Sequence, residues 1–283
     1  MIRIDGVCFS TFTKGLHKPF DARLTHSMVK TAIDLVGRFQ AVMGYHQSDE
    51  ISLVFEAAQV VENEKEETSG EERRRKKPRS HPYAGRVQKL VSTTASYAAA
   101  RLNHYLANCD WTDVSEEVRE RMTSHSAYFD SRIVPCETET SLMETIYWRS
   151  NVDGVKNAVS MIANVHFKPK ELHAKSTRQK IEMLVEKGIH VDKDFSLRML
   201  FGTWVKKEEY QIHGMLHPQT NQPLPNPVTR SRFRIGSFNW NDWSQEDRIK
   251  FILAKFWLDE EGFPPMDPLS EHGTAADHSN VLQ

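Results

Sequence analysis

The sequence has few cysteines and no long apolar run, and these shortages exclude several classes of protein. The three cysteines, Cys8, Cys109 and Cys136, form no CxxC or Cys/His zinc spacing, so neither a disulfide framework nor a zinc finger is expected. No segment approaches the roughly 20 apolar residues of a membrane-spanning helix. No secretory signal is visible, since MIRIDG enters a strand pattern at once. We expect an intracellular protein without a membrane partner, cytoplasmic by default, with the mitochondrion and the nucleus left open.

The chain also lacks a net charge of one sign. Its formal charge is −1, which excludes an overall basic surface for nucleic acids but not a local one. Charge is segregated within 58–82, where an acidic block, 62–72, precedes a basic one, 73–79. Such blocks offer little apolar surface to bury, so we predict that 58–82 is a disordered insertion. Its basic half is interpreted as a nuclear signal, an RNA-binding arm or a solvated loop.

Apolar periodicity predicts an α+β fold for the first half of the chain. IRI (2–4) is typical of a strand, and Asp21 caps a predicted helix of about five turns. AVMGY (41–45) and ISLVF (51–55) predict a hairpin. The order strand, helix, strand, strand opens ferredoxin-like domains. A helix over 83–107 and a strand over 129–135 complete a βαββαβ core.

The second half is predicted to add helices and strands to this core. The chain is therefore predicted to consist of this core over 1–140 and a C-terminal region over 141–283, whose tail after residue 268 is expected to be loose. The predicted elements are a helix over 141–167 broken near Asp153-Gly154, a helix over 176–187 with a Ser176/Gln179 capping box and a stop at Gly188, strands over 199–207 and 228–238, and a helix at FILAKFW (251–257).

Two acids are predicted to meet at one edge of the sheet. Asp5 ends the first strand, and Asp49 lies at the tip of the hairpin. In a βαβ unit the two strands are usually parallel and close, so both tips fall on the same edge. Two carboxylates beside the Gly6 carbonyl are oxygen ligands suited to Mg²⁺, and two such ions organise nucleotidyl transfer. The alternative is that Asp-Gly and Ser-Asp are ordinary turn residues.

Cations at the start of the 83–107 helix are candidates for phosphate binding. Arg86 and Lys89 lie three residues apart, on one side of the helix, near an end that favours anions. The alternative is a solvated helix start. Arg132 lies in the strand over 129–135 and is also available.

Four motifs then make the chain recognisable. RIDGxxFxxFT, HKPFD, GYHQSDEISLVF and FDSRIV, spread over about 1–150, closely resemble the tRNA-His guanylyltransferase superfamily. Members add nucleotides to the 5′ end of tRNA in the 3′-to-5′ direction. The resemblance implies a polymerase- or cyclase-like palm, two Mg²⁺ ions, ATP and GTP or another NTP as substrates, tRNA as partner and a homotetramer.

The resemblance also implies roles for individual residues. It assigns metal binding and catalysis to Asp5 and Asp49, with the Gly6 carbonyl as a further metal ligand. The implied nucleotide-binding residues are Asp5, Gly6, Val7, Cys8, Phe9, Ser10, Lys18, Ser48, Asp49, Arg86 and Lys89. Arg132, Lys156 and Asn157 are possible contacts to tRNA or phosphate. Members often carry histidine at the position of Ser10.

One departure from the family pattern indicates the branch. Enzymes that add the extra G to tRNA-His carry WRQ-x-x-x-HINNLYN, whereas here WRS is followed by NVDGVKNAVS. Gly154 replaces the histidine, Val159 replaces the tyrosine, and Asn157 matches. The resemblance therefore implies the guanylyltransferase-like branch, which repairs truncated tRNA 5′ ends with a template. The alternatives are G−1 addition to tRNA-His, a palm-type nucleotide cyclase and a non-catalytic RNA-binding module.

Overall fold

The computed structural model describes residues 1–58, 81–217 and 219–258. The chain divides into two compact units. The first comprises Met1–Leu16 and Asp21–Leu142, and the second comprises His17–Phe20 and the chain from Met143 onward. Residues 59–80 of the predicted insertion, and the tail after 268, lie outside the described residues. The predicted disorder of these segments therefore stays a prediction.

Within its described residues, the first unit contains four strands, four α-helices and a short 3-10 turn at Pro82–Gly85, joined in the predicted βαββαβ order around one sheet. The strands are β1 (Ile2–Gly6), β2 (Met43–Gln47), β3 (Glu50–Val54) and β4 (Phe129–Ile133), and the helices are α1 (Phe9–Phe12), α2 (Ala22–Phe39), α3 (Val87–Ala107) and α4 (Glu116–Thr123).

The sheet of this unit has the order β4-β1-β3-β2, and each neighbouring pair is antiparallel. This is the ferredoxin-like arrangement that the element order predicts, so the α+β fold class is confirmed. One detail differs from the expectation. β1 and β2 run parallel but are not neighbours, because β3 lies between them as in a split βαβ unit.

Helix α2 follows from its cap and its apolar spacing. The carboxylate of Asp21 accepts a hydrogen bond from the backbone N–H of Arg23 at 3.0 Å, which satisfies one of the free amides of the first turn. Met28, Ala32 and Leu35 recur at helical spacing and are fully buried. The helix therefore forms part of the core that supports the sheet.

The two faces of the sheet differ in chemistry. Ile4 and Ile51 are paired across β1 and β3 and fully buried. On the same face, the hydroxyl of Ser131 lies 2.8 Å from that of Thr94 on α3, so this face is covered by helices. Side chains alternate along a strand, which places Arg3 and Asp5 on the opposite face. That polar face carries the candidate site.

The second unit is mostly helical and includes one long hairpin. Its elements are α5 (Glu139–Tyr147, which begins in the first unit), a π-helical segment (Trp148–Asp153), α6 (Gly154–His166), α7 (Pro169–Leu172), α8 (Thr177–Glu186), α9 (Val191–Asp194), α10 (Leu197–Phe201), β5 (Thr203–Ile212), β6 (Val228–Gly236) and α11 (Gln245–Leu253).

The break predicted near Asp153-Gly154 is confirmed, since the π-helical segment interrupts the 141–167 helix just before Gly154. Two other predicted boundaries in this unit require correction. The strand predicted over 199–207 begins only at Thr203, because residues 197–201 form α10, which ends at Gly202 with a positive φ of 73°. The helix predicted at 251–257 begins at Gln245 and stops at Leu253. By contrast, the Ser176/Gln179 capping box and the Gly188 stop are confirmed.

The π-helical segment is fixed by hydrogen bonds to the chain before α11. The indole N–H of Trp240 donates to the hydroxyl of Ser150 at 3.0 Å and to the amide oxygen of Asn151 at 2.5 Å. The amide nitrogen of Asn151 donates in turn to the side-chain oxygens of Asn239 at 3.0 Å and Asn241 at 2.8 Å. Trp240 is fully buried, so the wider helical turn is built into the core of this unit.

A buried lysine holds the end of α11. The ammonium of Lys206 donates to the carbonyl oxygens of Phe251 at 2.7 Å and Ile252 at 3.2 Å, and also to that of Ala254. The last carbonyls of a helix lack partners within the helix, and a cation favours that end. Lys206 therefore serves as a C-terminal cap from a neighbouring strand.

Replacing this lysine is predicted to destabilise the second unit. Lys206→Ala leaves buried carbonyls without a donor and opens a cavity, so the free energy of unfolding is expected to fall by about 2 kcal/mol or more. Lys207→Ala, one residue along the strand and on its other face, is the control and is expected to change it by less than about 0.5 kcal/mol. Urea denaturation of both variants measures the difference, and equal losses would contradict the capping role.

Candidate active site

The structure brings Asp5 and Asp49 to the same edge of the sheet. Asp5, near the end of β1, is paired with Glu50, the first residue of β3. The backbone N–H of Gly6 donates to the carbonyl oxygen of Asp49 at 3.1 Å. Asp5 and Asp49 therefore lie at the same edge, as predicted. They do so because β3, which follows Asp49, pairs with β1, and not because β1 and β2 are neighbours.

The electrostatics of Asp49 reflect this convergence. Burial raises the pKa of the Asp49 carboxyl above its ordinary value, and the negative charge of Asp5 raises it further. A backbone hydrogen bond, the Ser48 hydroxyl and the positive charge of Arg3 oppose this shift in part. A cation bound beside Asp49 would favour the ionised form of its carboxyl, which the protein alone disfavours.

Arg3 organises the acids of the polar face. Its Nη2 lies 2.9 Å from the Asp5 carboxylate, and its Nε lies 2.7 Å from that of Glu50. The Asp5 side chain keeps 27% of its surface exposed, so the arginine does not close the site. Neither Arg3 nor Glu50 was a predicted site residue. The R-x-D spacing on one strand face, opposite the E-x-S of β3, was the available signal.

The turn after Asp5 is tightly packed. A Cβ at Gly6 would lie 2.3 Å from the ring of Phe9, so this position accepts only glycine. The Phe9 ring is buried against Phe12 and Phe129, with centroid distances of 5.1 and 5.2 Å. Cys8 has a positive φ of 57°, which turns the chain sharply into α1. The packing of Phe9 thereby fixes the backbone beside the acid pair.

The predicted phosphate cradle at residues 7–10 needs one correction. The backbone N–H of Val7 donates to the carbonyl of Tyr128 at 3.0 Å, so this amide is already engaged. The turn leaves the backbone of Cys8, Phe9 and Ser10 for the predicted role. Ser48, at the other side of the edge, has a positive φ of 57°, which shapes the tip between β2 and β3.

The donor set fits a hard divalent cation. The described residues contain no cluster of three or more His, Cys, Asp or Glu side chains placed to hold a metal. Mg²⁺ needs no such cage, because it is typically bound by one or two carboxylates, waters and the phosphates of a substrate. Asp5, Asp49 and the Gly6 carbonyl match that pattern. The assignment of the metal to these residues stays a prediction.

Arg86 and Lys89 lie near the opposite ends of the strands from Asp5 and Asp49. His81, shortly before α3, lies with its ring Nε2 2.9 Å from the carbonyl of Glu56, just after β3 ends. Further along α3, the amide of Asn103 donates to the carbonyl of Ala127, close to the start of β4 and the acids. The 14 residues from Lys89 to Asn103 span about 20 Å. Within a single chain, Arg86 and Lys89 therefore do not lie beside Asp5 and Asp49.

The remaining predicted residues fall into two groups. Arg132, on the polar face opposite Arg3, forms an ion pair with Asp130 at 2.9 Å. Lys18, Lys156 and Asn157 belong to the second unit, and the latter two are exposed on α6. The roles of all four stay predictions.

Comparisons with known proteins identify the relatives of this fold. A family model described as Thg1, tRNAHis guanylyltransferase, matches residues 1–137. The uncharacterized protein R259 of Acanthamoeba polyphaga mimivirus is 30% identical over 278 residues, covering 96% of this chain and 85% of the relative.

Solved structures agree with this assignment. A bacterial tRNA(His) guanylyltransferase (Thg1)-like protein in complex with ATP is 29% identical, with a TM-score of 0.55 over 73% of this chain and 77% of that one. Two others support the fold. They are a bacterial Thg1-like protein in complex with GTP (24% identical, TM-score 0.58, 89% and 88% covered) and the Saccharomyces cerevisiae tRNA(His) guanylyltransferase (20% identical, TM-score 0.53, 72% and 82% covered).

The palm-like sheet with its acid edge defines the class of the protein, an α+β fold of the nucleotidyltransferase type. The chain belongs to the tRNAHis guanylyltransferase superfamily, in its Thg1-like branch. Members of this family are nucleotidyltransferases that act at tRNA 5′ ends. The resemblance stated from the motifs is thereby confirmed. Among the described residues, no helix is long and apolar enough to span a membrane.

The raised pKa of Asp49 predicts that this residue costs stability. Its ionised form is disfavoured in the folded state, so the free energy of unfolding falls as pH rises from the ordinary carboxyl pKa through the raised one. Asp49→Asn removes that penalty and is expected to raise the melting temperature at pH 7 by a few degrees. The gain is expected to shrink at pH 3, where the carboxyl is protonated in both states.

Thermal melts monitored by circular dichroism at the two pH values test this prediction. Asp130→Asn, an exposed acid on the same face, is the control and is expected to leave the melting temperature unchanged. A lower melting temperature for Asp49→Asn at pH 7 would show that Asp49 stabilises the fold instead.

Proposed function

We propose that the protein extends the 5′ end of truncated tRNA in the 3′-to-5′ direction, with the opposite strand of the acceptor stem as template. The observation that supports this chemistry is the placement of Asp5 and Asp49 at one edge of a palm-like sheet, where burial, and after it the negative charge of Asp5, raises the pKa of Asp49. NTPs are the proposed substrates, and Mg²⁺ is the proposed cofactor.

We assign separate roles to the residues at this edge of the sheet. Asp5, Asp49 and the Gly6 carbonyl would hold Mg²⁺, which when bound acidifies a ribose hydroxyl and neutralises phosphate charge. Arg3 holds Asp5 and Glu50 in place through its two ion pairs. The packing of Phe9 fixes the turn whose backbone would face the nucleotide phosphates. Catalysis then depends mostly on positioning and charge neutralisation.

The reaction balances as a phosphoryl substitution. A 5′-monophosphate end is first activated with ATP, which forms an adenylylated end and releases pyrophosphate; an end that is already a triphosphate needs no activation. The 3′-hydroxyl of the incoming NTP then attacks the 5′ phosphorus, and AMP or pyrophosphate departs. Base pairing to the opposite strand selects the nucleotide, so the protein needs no base-reading motif.

Two buried positions favour repair over G−1 addition. Gly154 and Val159 replace the histidine and tyrosine of the motif carried by enzymes that add the extra G. Both are buried, and Val159 packs in a core cluster with Ala158 and Ile162. Neither position offers a polar group to RNA. The homotetramer implied by the resemblance remains part of this proposal, and light scattering after size-exclusion chromatography tests it.

The first prediction of this proposal concerns substrate choice. With Mg²⁺ and labelled NTPs, a 5′-truncated, 5′-triphosphorylated tRNA is expected to be extended to the end of the acceptor stem. On full-length tRNA-His, G is expected to be added opposite C73 but not opposite A73, because pairing selects the nucleotide. Equal addition opposite both bases would favour the tRNA-His guanylyltransferase, and a cyclic nucleotide product would favour a cyclase.

The second prediction concerns the acid pair. Asp5→Asn and Asp49→Asn preserve shape but remove ligand charge, so nucleotide addition is expected to fall by about 100-fold or more in each. Glu120→Gln, an exposed acid on α4, is the control and is expected to retain activity. Gel analysis of labelled tRNA measures the rates. Unchanged rates in both aspartate variants would remove the acid pair from the mechanism.

A further inference from the structure

Tyr128 exposes an aromatic side chain beside the candidate site. Of the nine large apolar side chains that are exposed among the described residues, only Val87 and Tyr128 belong to the first unit. Val87 begins α3, near the opposite ends of the strands from the acids. Tyr128 immediately precedes β4, whose first residue, Phe129, is paired with Gly6. An exposed aromatic ring therefore adjoins the edge of the sheet that carries the acids.

The backbone of Tyr128 contacts the turn that follows Asp5. Its carbonyl oxygen accepts a hydrogen bond from the backbone N–H of Val7 at 3.0 Å, and segments paired in this way lie about 4.8 Å apart. Burial alternates along this segment, since Phe129 is buried whereas Tyr128 and Asp130 are exposed. Because Asp130 is paired with Asp5, the alternation places Tyr128 on the polar face that carries the candidate site.

Buried contacts fix the backbone on both sides of Tyr128. Before it, the side-chain amide of Asn103 on α3 donates to the carbonyl of Ala127 at 2.8 Å and accepts from its N–H at 3.1 Å. After it, the ring of Phe129 packs against that of Phe9 at a centroid distance of 5.2 Å. The side chain of Tyr128 has no hydrogen-bond or ring partner among the residues that the structure describes. The residue is therefore held at a fixed place while 54% of its surface remains exposed.

The place of this ring suits a nucleobase. A single exposed apolar residue is common and needs no explanation by itself. Tyr128, however, adjoins the turn whose backbone would face nucleotide phosphates, and one ribose joins those phosphates to the base. The next exposed side chains on this face, Asp130 and Arg132, form an ion pair with each other at 2.9 Å, so the ring supplies the apolar surface. Aromatic side chains stack favourably on every base, because every base has a π-face.

We propose that the ring of Tyr128 stacks on the base of the nucleoside triphosphate that binds at the edge carrying Asp5 and Asp49. Stacking holds a base by its face and reads none of its hydrogen-bonding groups, so the site accepts all four bases. Such a contact suits an enzyme in which the template strand, and not the protein, selects the nucleotide. This inference rests on the proposed function, because it concerns the nucleotide used in the same reaction.

Equilibrium binding to the full chain tests the stacking. Isothermal titration calorimetry with Mg²⁺ compares ATP, GTP, CTP and UTP with inorganic tripolyphosphate, which has no base. Tyr128→Ala is expected to weaken the binding of each NTP by about 5- to 100-fold and to leave tripolyphosphate binding unchanged. Tyr128→Phe keeps the ring and is expected to match the wild type, whereas Tyr128→Leu keeps bulk without an aromatic face and is expected to lose affinity. The matched control is Val185→Ala, which shortens a 45% exposed side chain of α8 and is expected to change none of these affinities.

The outcomes separate the stacking from the proposed function. Unchanged NTP affinity in Tyr128→Ala, or an equal loss for tripolyphosphate, would overturn the stacking, and so would a loss in Tyr128→Phe. Unchanged NTP affinity with weaker binding of 5′-truncated tRNA would direct the ring to the RNA, and the inference would be wrong. A wild-type protein that adds no nucleotide to tRNA, but shows the NTP-specific loss in Tyr128→Ala, would overturn the proposed function and retain the inference. Circular dichroism checks the fold of each variant, and Tyr128→Leu decides if Tyr128→Ala does not fold.

Discussion

The enclosure of two carboxylates at one edge of a small sheet is the constraint on which the candidate site depends. Asp49 is half-buried beside Asp5, and its burial and the negative charge of Asp5 both raise its pKa. Arg3 forms ion pairs with both Asp5 and Glu50, so one positive charge faces two carboxylates, and it does not cover the Asp5 side chain. The fold thus maintains a negative charge that it does not fully compensate. Residues kept at a cost to stability are typical of functional sites, because a bound ligand supplies the missing interaction.

The backbone around the acids is specified by packing rather than by hydrogen bonds to the carboxylates. Phe9 occupies the space where a side chain at Gly6 would lie, and Phe12 and Phe129 fix the Phe9 ring. An aromatic cluster at the end of β1 therefore determines the direction of the turn after Asp5. This explains why the RIDG motif is followed by FxxF. In the proposed function the acids supply the chemistry, and the phenylalanines fix the backbone beside them.

Much of this arrangement was accessible from sequence. Helical spacing and strand alternation predicted the βαββαβ order, and the connection rules for such units placed Asp5 and Asp49 on one edge. The position of β3 between β1 and β2 agrees with the ferredoxin-like element order, but the direct closeness of β1 and β2 that was used to place the acids was wrong. Arg3 was missed because a charged residue at an alternate strand position resembles an ordinary solvent-facing one. The edge at which Arg86 and Lys89 lie follows from chain direction in three dimensions, which local patterns do not encode.

The net charge of −1 gives no sign of the two kinds of charge that the proposed tRNA substrate would require, carboxylates to hold a metal ion and cations to bind the RNA backbone. The acid edge repels RNA unless a cation is present, so affinity for the backbone has to come from other residues. In the second unit, Arg232 and Arg234 of β6 donate hydrogen bonds to Glu208, so one acid orders two cations there. Under the proposed function, chemistry on a phosphate and affinity for a phosphate chain would rely on charges of opposite sign, so a sum of 37 basic and 38 acidic residues reveals neither.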